Sequence, residues 1–409
     1  MRVLIFIFLV LSLTGWTGVS SARTLPQRDW SQIEFSLLTL GANSTLYTAA
    51  GHTLVRVKDG VRGTDQVYNW GIFNFRTENF VWKYYRSTLM YKLMITPTDF
   101  YLRHLRSREP RSILEETLVL SPDEKKIFMD ELIWWSRPEN RLYRYHEYRK
   151  NCATVVRDII DKATGGRLKA ATGTVYNNKT WRSFWRHYFS WHILVETGAD
   201  LLFNSEIDEQ ISGWDEMYIP LQLSHYVNEL QLVGERRRIL DIPFRKTTPV
   251  NGYGLFWIFL GIPLAGAAWL LRRDPAGKAG LICAGLAAAF QGLLGTLYGT
   301  VIPLTALLSE RSYFHFGANF WLFWPVDLLL LIAAFYWLRG HPLPDGGRLR
   351  RWLRWLCLAH GAGHLAWLLL WIVGIIRQNI FSELWSVWPL SLLLMLLIYR
   401  RLIPQPGPT

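Results

Sequence analysis

Cysteine and histidine, brought together, make a nucleophile and its base, and this chain offers both in settings that invite such chemistry. In RKNCATVVRDII, Arg149 to Ile160, Cys152 directly follows Asn151 and precedes apolar residues at helical spacing, Ala153, Val156, Ile159 and Ile160. Arg157, Asp158 and Asp161 fall on the other face, and the run closes at Gly165-Gly166 as a helix end should. Cys152 would then sit in the first turn, where unpaired amides carry partial positive charge, which stabilises a thiolate and enlarges the nucleophilic fraction. Asn151 suits either the helix N-cap or the oxyanion side of a substrate. The alternative for Cys152 is a structural thiol buried at a helix start.

A thiolate nucleophile normally works with a base. His52 stands in AAGHTLVRVKDG, where Leu54 and Arg56 alternate with Val55 and Val57 as in a strand and Lys58-Asp59-Gly60 makes a turn before a second strand, QVYNWGIFNF. From a strand beginning at Gly51, His52 can point toward a packed helix, the geometry of a Cys/His pair. On chemistry alone His104, His146, His187, His192 and His225 stay open as rivals. His146 is nearest to Cys152, within YRYHEYRK, which reads as a charged, solvated lead-in.

What a lone cysteine means depends on its compartment. The opening MRVLIFIFLVLSLTGWTGVSSAR has a basic Arg2, an apolar run from Val3 to Leu13, and the small residues Ser20 and Ala22 where signal peptidase reads them. Residues 1–22 thus read as a signal peptide with Arg23 as the first mature residue; the other reading is an uncleaved anchor. Both readings put the chain beyond Arg23 outside the cytoplasm. Residues 23–250 are mixed and charged like a soluble domain, and Cys152 is the cysteine they contain. Cys283 and Cys357 fall in apolar segments, where a thiol packs as a small hydrophobe. An exported odd thiol either pairs with another chain or is used.

Residues 251–409 are oily and predict an all-α membrane domain of about five spans: 252–271, 279–303, 319–338, 355–376 and 384–399. Arg272, Arg273 and Lys278 follow the first; Arg339, Arg348, Arg350, Arg351 and Arg354 separate the third from the fourth; Arg400 and Arg401 follow the fifth. The alternate loops hold Arg311 and Arg377, near Glu310 and Glu383. The positive-inside rule then sends the first span from outside to inside and leaves the C-terminus cytoplasmic. Within the spans, His360 and His364 are one helical turn apart, a spacing that fits helix packing better than metal binding, and Asp327 calls for a polar contact.

The 45 basic and 32 acidic residues give a net charge of +13, which in a soluble protein would raise nucleic acid as a partner. Here many of the charges are topology signals or lie in an exported domain, so no nucleic-acid role is expected. The clusters FVWKYYRSTLMYKL (Phe80 to Leu93) and TWRSFWRHYFSWH (Thr180 to His192) fit a surface resting on anionic headgroups, or else ordinary helices with a buried aromatic stripe.

The segments GHTLVRVKDG, VYNWGIFNF, RKNCATVVRDII and GADLLFNSEIDEQISGWDEMYIPLQL resemble, in the same order, blocks of the family named for the N-terminal periplasmic domain of Lnb, a bacterial lipoprotein N-acyltransferase. The likeness spans about Leu37 to Leu223. More distantly, His52 on a strand with the nucleophile later in an Asn-Cys pair is similar to the lecithin:retinol acyltransferase group, which has a permuted NlpC-type papain-like fold. That resemblance implies an α+β papain-like exported domain and a third polar residue on the next strand that orients the histidine. Asn69 is the nearest match and Tyr68 the second, with Asn151 and Tyr68 toward the substrate.

What the resemblance implies about function is an inner-membrane lipoprotein N-acyltransferase. A fatty acyl chain would pass from a membrane phospholipid to Cys152 as a thioester, then to the α-amine of a lipoprotein's N-terminal cysteine, with no cofactor or metal. Three alternatives remain at this level: a membrane-tethered cysteine peptidase or amidase of the cell wall, a phospholipase, and a non-enzymatic receptor or assembly protein.

Overall fold

The computed structural model describes residues 29–190, 193–242, 277–315, 317–344, 347–378 and 381–402. The expected signal peptide and the expected first span, 252–271, lie outside these residues. In the N-terminal half the strands are β1 (Ile33–Leu40), β2 (His52–Asp59), β3 (Thr64–Ile72), β4 (Met90–Pro97), β5 (Ile113–Leu118), β6 (Leu142–Arg144), β7 (Tyr176–Thr180), β8 (Gln210–Ser212) and β9 (Val233–Leu240). The helices that matter for the site are α1 (Phe80–Tyr85), α2 (Thr98–Arg108), α3 (Pro122–Ser136), α4 (Cys152–Ala163), α5 (Trp181–Phe189) and α6 (Pro220–Glu229).

Among the described residues the main sheet has seven strands in the order β6-β4-β3-β2-β1-β5-β9, every pair antiparallel. Its faces follow from the alternation of side chains along each strand. Leu54 and Val67 turn to one face and pack with Tyr101 and Leu105 of α2. Val55, Val57 and Trp70 turn to the other and meet Phe128 and Leu132 of α3, Val156 and Ile160 of α4, and Val227 of α6. Val156 and Ile160 are fully buried, and each such side chain contributes about 1.5–3 kcal/mol of apolar burial. That packing holds α4, and Cys152 with it, against β2 and β3. A smaller pair, β7 with β8, stands apart from the main sheet.

The two aromatic clusters differ in how they are built. Phe80 to Leu93 is half helix and half strand: α1 ends at Tyr85, and Leu89, Tyr91 and Leu93 are buried along or just before β4, while Val81 and Trp82 stay exposed. In α5 the arginines turn inward. Arg182, 1 % exposed, pairs with Asp200 and Asp208 at 2.6 Å each, and Arg186 meets Asp200 at 2.8 Å. Two buried carboxylates claim charges that the sequence alone would assign to a headgroup surface.

In the C-terminal half lie α7 (Lys278–Leu308), α8 (Leu328–Leu338), α9 (Arg348–Ile372) and α10 (Phe381–Leu402). Among the described residues, α7 and α9 are long and apolar enough to cross a membrane, and a third crossing is made only if the segments Ser312–Trp321 and Pro325–Leu338, bent by 50°, count as one. The expected span 319–338 is thus broken: Pro325 opens a short 3-10 turn, and the regular helix starts only at Leu328. The segment expected to end near Pro303 instead continues to Leu308 with Pro303 inside it. The segment 384–399 falls in α10.

The membrane-half helices have two distinct poles. At one, Lys278 lies beside Gly340, and Arg354 Nε donates to the Leu402 carbonyl at 2.9 Å. At the other, the connections after α7 and α9 meet the N-terminal half. Asn204 Nδ2 donates to the carbonyls of Ser312 and His315 at 2.7 and 2.8 Å, and Gln378 Nε2 donates to Phe203 O at 2.6 Å. Arg311 Nε donates to Glu147 at 2.9 Å and Tyr313 Oη donates to the same carboxylate at 2.7 Å.

Candidate active site

Asn151 begins the site by beginning its helix. Its Oδ1 accepts from the amides of Ala153 and Thr154, both at 2.9 Å, and Thr154 Oγ1 accepts from the Asn151 amide at 2.8 Å, a reciprocal capping box. Its Nδ2 donates to the carbonyls of Glu147 and Tyr218 at 2.8 and 2.9 Å. Both amide hydrogens are therefore committed, and of the two roles the sequence leaves open the geometry supplies the cap, not an oxyanion donor. Gly165, with φ +67°, and Gly166, with φ +85°, turn the chain away after the helix.

Cys152, the first helical residue, is 8 % exposed. Left to burial alone its thiol would titrate higher. The charge of His52, the hydrogen bond between the two side chains, and the amides of Thr53 and Ala153 outweigh that and hold it below the ordinary thiol value. His52 shows the converse: burial alone would push its imidazole down, but the Cys152 thiolate and the bonds to Cys152 and Asn69 raise it, with Arg111 opposing. The two shifts are reciprocal: each side chain favours the charged form of the other.

His52 opens β2 opposite Leu40, directly after Gly51, whose φ of +86° sets the turn into the strand. His52 Nε2 lies 2.7 Å from Asn69 Oδ1. With Nε2 donating there, Nδ1 is the nitrogen that faces the sulfur. Asn69, 2 % exposed on β3, is itself held by Tyr101 Oη, 3.4 Å from its Nδ2. Tyr68 alternates to the opposite face, where its ring lies over Trp70 with centroids 6.3 Å apart, so the structure does not bring it to His52.

The rival His146 sits in a turn, its Nδ1 accepting from the amides of Tyr148 and Arg149 at 3.3 Å. The stretch around it is not a solvated lead-in: Tyr143 and Tyr148 are buried, and Glu147 pairs with Arg311. Burial pushes the phenols of Tyr143 and Tyr145 well above their usual range, with the Cys152 charge adding to it, so both remain protonated near the sulfur.

One contributor has no ionisable group. Gly71, φ +92°, lies where the β3–β4 register shifts between Asn69 and Ile72. A Cβ there would stand 3.8 Å from His52 Cε1 and 3.9 Å from Cys152 Cβ. The glycine thus lies beside both His52 and Cys152, in a backbone conformation that side chains resist. A lone glycine within a strand pattern, NWGIF, is the sequence signal for such a bulge.

In the membrane half, His360 Nε2 lies 2.6 Å from Asp327 Oδ1, both fully buried, with the Trp324 ring stacked on His360 at 4.4 Å. That supplies the polar contact Asp327 calls for and engages the histidine paired in sequence with His364.

The geometry places a cysteine thiol, a histidine ring and a neutral amide acceptor in series at the end of a sheet. Such a set can attack a carbonyl, protonate the leaving group and accept a proton from the next nucleophile. A family model described as the Lnb N-terminal periplasmic domain matches residues 22–187, which include Cys152, His52 and Asn69. No curated protein and no solved structure matches the chain.

Proposed function

We propose, from the match of residues 22–187 to the Lnb N-terminal periplasmic domain family, that this chain is a lipoprotein N-acyltransferase working from a membrane phospholipid. The observation that carries the reading is the Cys152–His52–Asn69 series on a domain whose chain continues into apolar helices. Its fold is read as papain-like in the permuted order, histidine strand before cysteine helix. The pole holding Lys278, Arg354 and the end of α10 is read as cytoplasmic, and the pole that meets Asn204, Phe203 and Glu147 as periplasmic.

In the first step the Cys152 thiolate attacks the carbonyl carbon of a phospholipid ester. The S–C bond forms, the C–O bond to glycerol breaks, and the His52 imidazolium protonates the departing alkoxide to give a lysophospholipid. Asn69 holds the ring so that Nδ1 keeps facing the sulfur. The oxyanion is assigned to backbone at the start of α4, since Asn151 has no hydrogen to spare. In the second step the α-amine of a lipoprotein's N-terminal cysteine attacks the thioester. The C–N bond forms, the C–S bond breaks, the thiolate returns and His52 takes the amine's proton.

The test is intact mass spectrometry of the full chain supplied with phospholipid and no acceptor. An acyl mass on Cys152 that disappears when a diacylglyceryl-cysteinyl peptide is added supports the transferase. An adduct that hydrolyses equally fast without peptide would make it a phospholipase. No adduct and no lysophospholipid from folded protein would remove phospholipid as donor.

A further inference from the structure

Cys152 lies on a domain in contact with water, whereas the donor ester lies at the bilayer surface, so the structure must offer a route between them. Phe73 stands two residues beyond Gly71, packed against the core cluster that contains Cys152. From Phe73 the rings step outward: Phe75 at 4.7 Å, Tyr47 at 6.2 Å and Phe80 at 5.8 Å between centroids. Phe75 is 62 % exposed and Tyr47 56 %, and at the next helical positions Val81 and Trp82 are open as well. Tyr47 lies five residues before His52 and Phe73 two residues after Gly71, so both rings stand on the segments that carry the Cys152 and His52 site.

The height of this patch is fixed by α1. The Tyr84 carbonyl accepts from Arg311, whose guanidinium lies 4.5 Å over the Tyr84 ring, and Tyr85 stacks on Phe314 at 6.0 Å with 2° between planes. Arg311 and Phe314 belong to the connection that leaves α7, so α1 rests on the end of an apolar helix long enough to cross a membrane. Arg76 directly follows Phe75, Arg86 lies one helical turn beyond Trp82, and both are exposed. Aromatic rings edged by cations at that level match the headgroup zone of a bilayer containing phosphate.

We propose that Tyr47, Phe75 and Trp82 form a lip set into the outer headgroup layer, along which the acyl chain of a donor phospholipid slides toward Cys152. The occupant is the donor phospholipid, since the exposed Arg76 and Arg86 suit its phosphate, whereas the diacylglyceryl group of the acceptor carries none. This rests on the acyl-transfer reading above and adds where the donor enters.

The experiment compares two donors on the full chain: long-chain phosphatidylethanolamine and phosphatidylglycerol vesicles, and a short-chain phospholipid dissolved below its micelle concentration. Acylation of Cys152 is followed by intact mass for wild type, Phe75→Ser with Trp82→Ser, and Tyr47→Ser. The ratio of vesicle to short-chain rate should fall about tenfold or more in the lip variants, the loss expected when large apolar contacts to one donor are removed. Val61→Ser, at an exposed turn between β2 and β3, should keep the wild-type ratio. Wild-type acylation with unchanged ratios in all lip variants would overturn the lip alone. A wild type that takes no acyl group from either donor would overturn the transferase reading, and the lip with it.

Discussion

Two histidines in this molecule hold nearly the same hydrogen bond, and one of them faces a cysteine. His52 Nε2 is 2.7 Å from Asn69 Oδ1, and His360 Nε2 is 2.6 Å from Asp327 Oδ1. Asn69 is a neutral acceptor: it holds the ring, and in the proposed mechanism it leaves an imidazolium charge to be balanced by the Cys152 thiolate. Asp327 is a carboxylate that can itself balance His360. The surroundings differ in the same sense. At the N-terminal site Gly71 lies beside both Cys152 and His52, where an added Cβ would touch each without a clash. In the membrane half a Cβ at Gly295 would collide with the Asp327 carboxylate, so that glycine brings two helices together. Cys357 is three residues before His360, yet it packs with Leu353, Leu356 and Ile398 as a small hydrophobe. An oriented histidine is therefore not a catalytic one; what its second nitrogen meets decides.

The largest expected effect separates the two cysteines. Cys152→Ser should lower acyl transfer by about 10³-fold or more, the scale on which a nucleophile's loss is felt, whereas Cys357→Ser should leave the acyl adduct in place by intact mass. Next come the histidines, read by pH. A thiol held below its ordinary value, about 8.5 in free cysteine, keeps reacting with iodoacetamide as pH falls until its own folded pKa is passed. In His52→Ala that midpoint should move up, because the cation is gone and burial remains. His360→Gln should leave it in place. Turnover, in contrast, needs the imidazolium as acid, so it should decline as pH rises through the His52 value, which lies above 6.5. Asn69→Ala should reduce turnover by about tenfold, at the low end of general acid–base contributions, because the ring survives but loses its anchor.

The contrast also explains what could be read from sequence. The α4 helix, its start at Cys152 and the strand after Gly51 follow from periodicity and punctuation, which are local properties. Asn69 is singled out only by family resemblance, since one polar residue among QVYNWGIFNF has no periodic signature. Gly71 does have a signal, an isolated glycine in a strand, but nothing local says that two reacting groups will stand over it. Arg182 and Arg311 look like surface charges because their acceptors, Asp200, Asp208 and Glu147, are distant in sequence. Likewise the break before α8 depends on Pro325 and on Asp327 finding His360, neither of which a hydropathy window weighs.

The membrane pair should reveal itself in stability. Asp327→Leu or His360→Leu alone leaves the other group buried without its partner, a loss of about 3–5 kcal/mol for a buried pair. The double Leu variant should recover part of it. Thermal unfolding in detergent measures this, and the adduct formed per folded molecule should match wild type throughout. A loss of adduct that tracks these variants while the fold remains intact would tie the pair to the chemistry and dissolve the contrast.

Asn151 supplies the smallest expected effect. Asn151→Ala removes the cap from two amides and releases two carbonyls, and a lost cap costs about 1–2 kcal/mol. Neither the His52 charge nor the Thr53 amide is touched, so the alkylation midpoint of Cys152 should shift little. Asn151→Asp keeps the acceptor oxygen for the helix amides but sets a negative charge next to the thiolate, so its midpoint should rise. If Asn151→Ala instead stayed as stable as wild type, alkylated normally and yet failed to take an acyl group, the side chain would be serving the oxyanion, and its four hydrogen bonds would have to be remade when substrate binds.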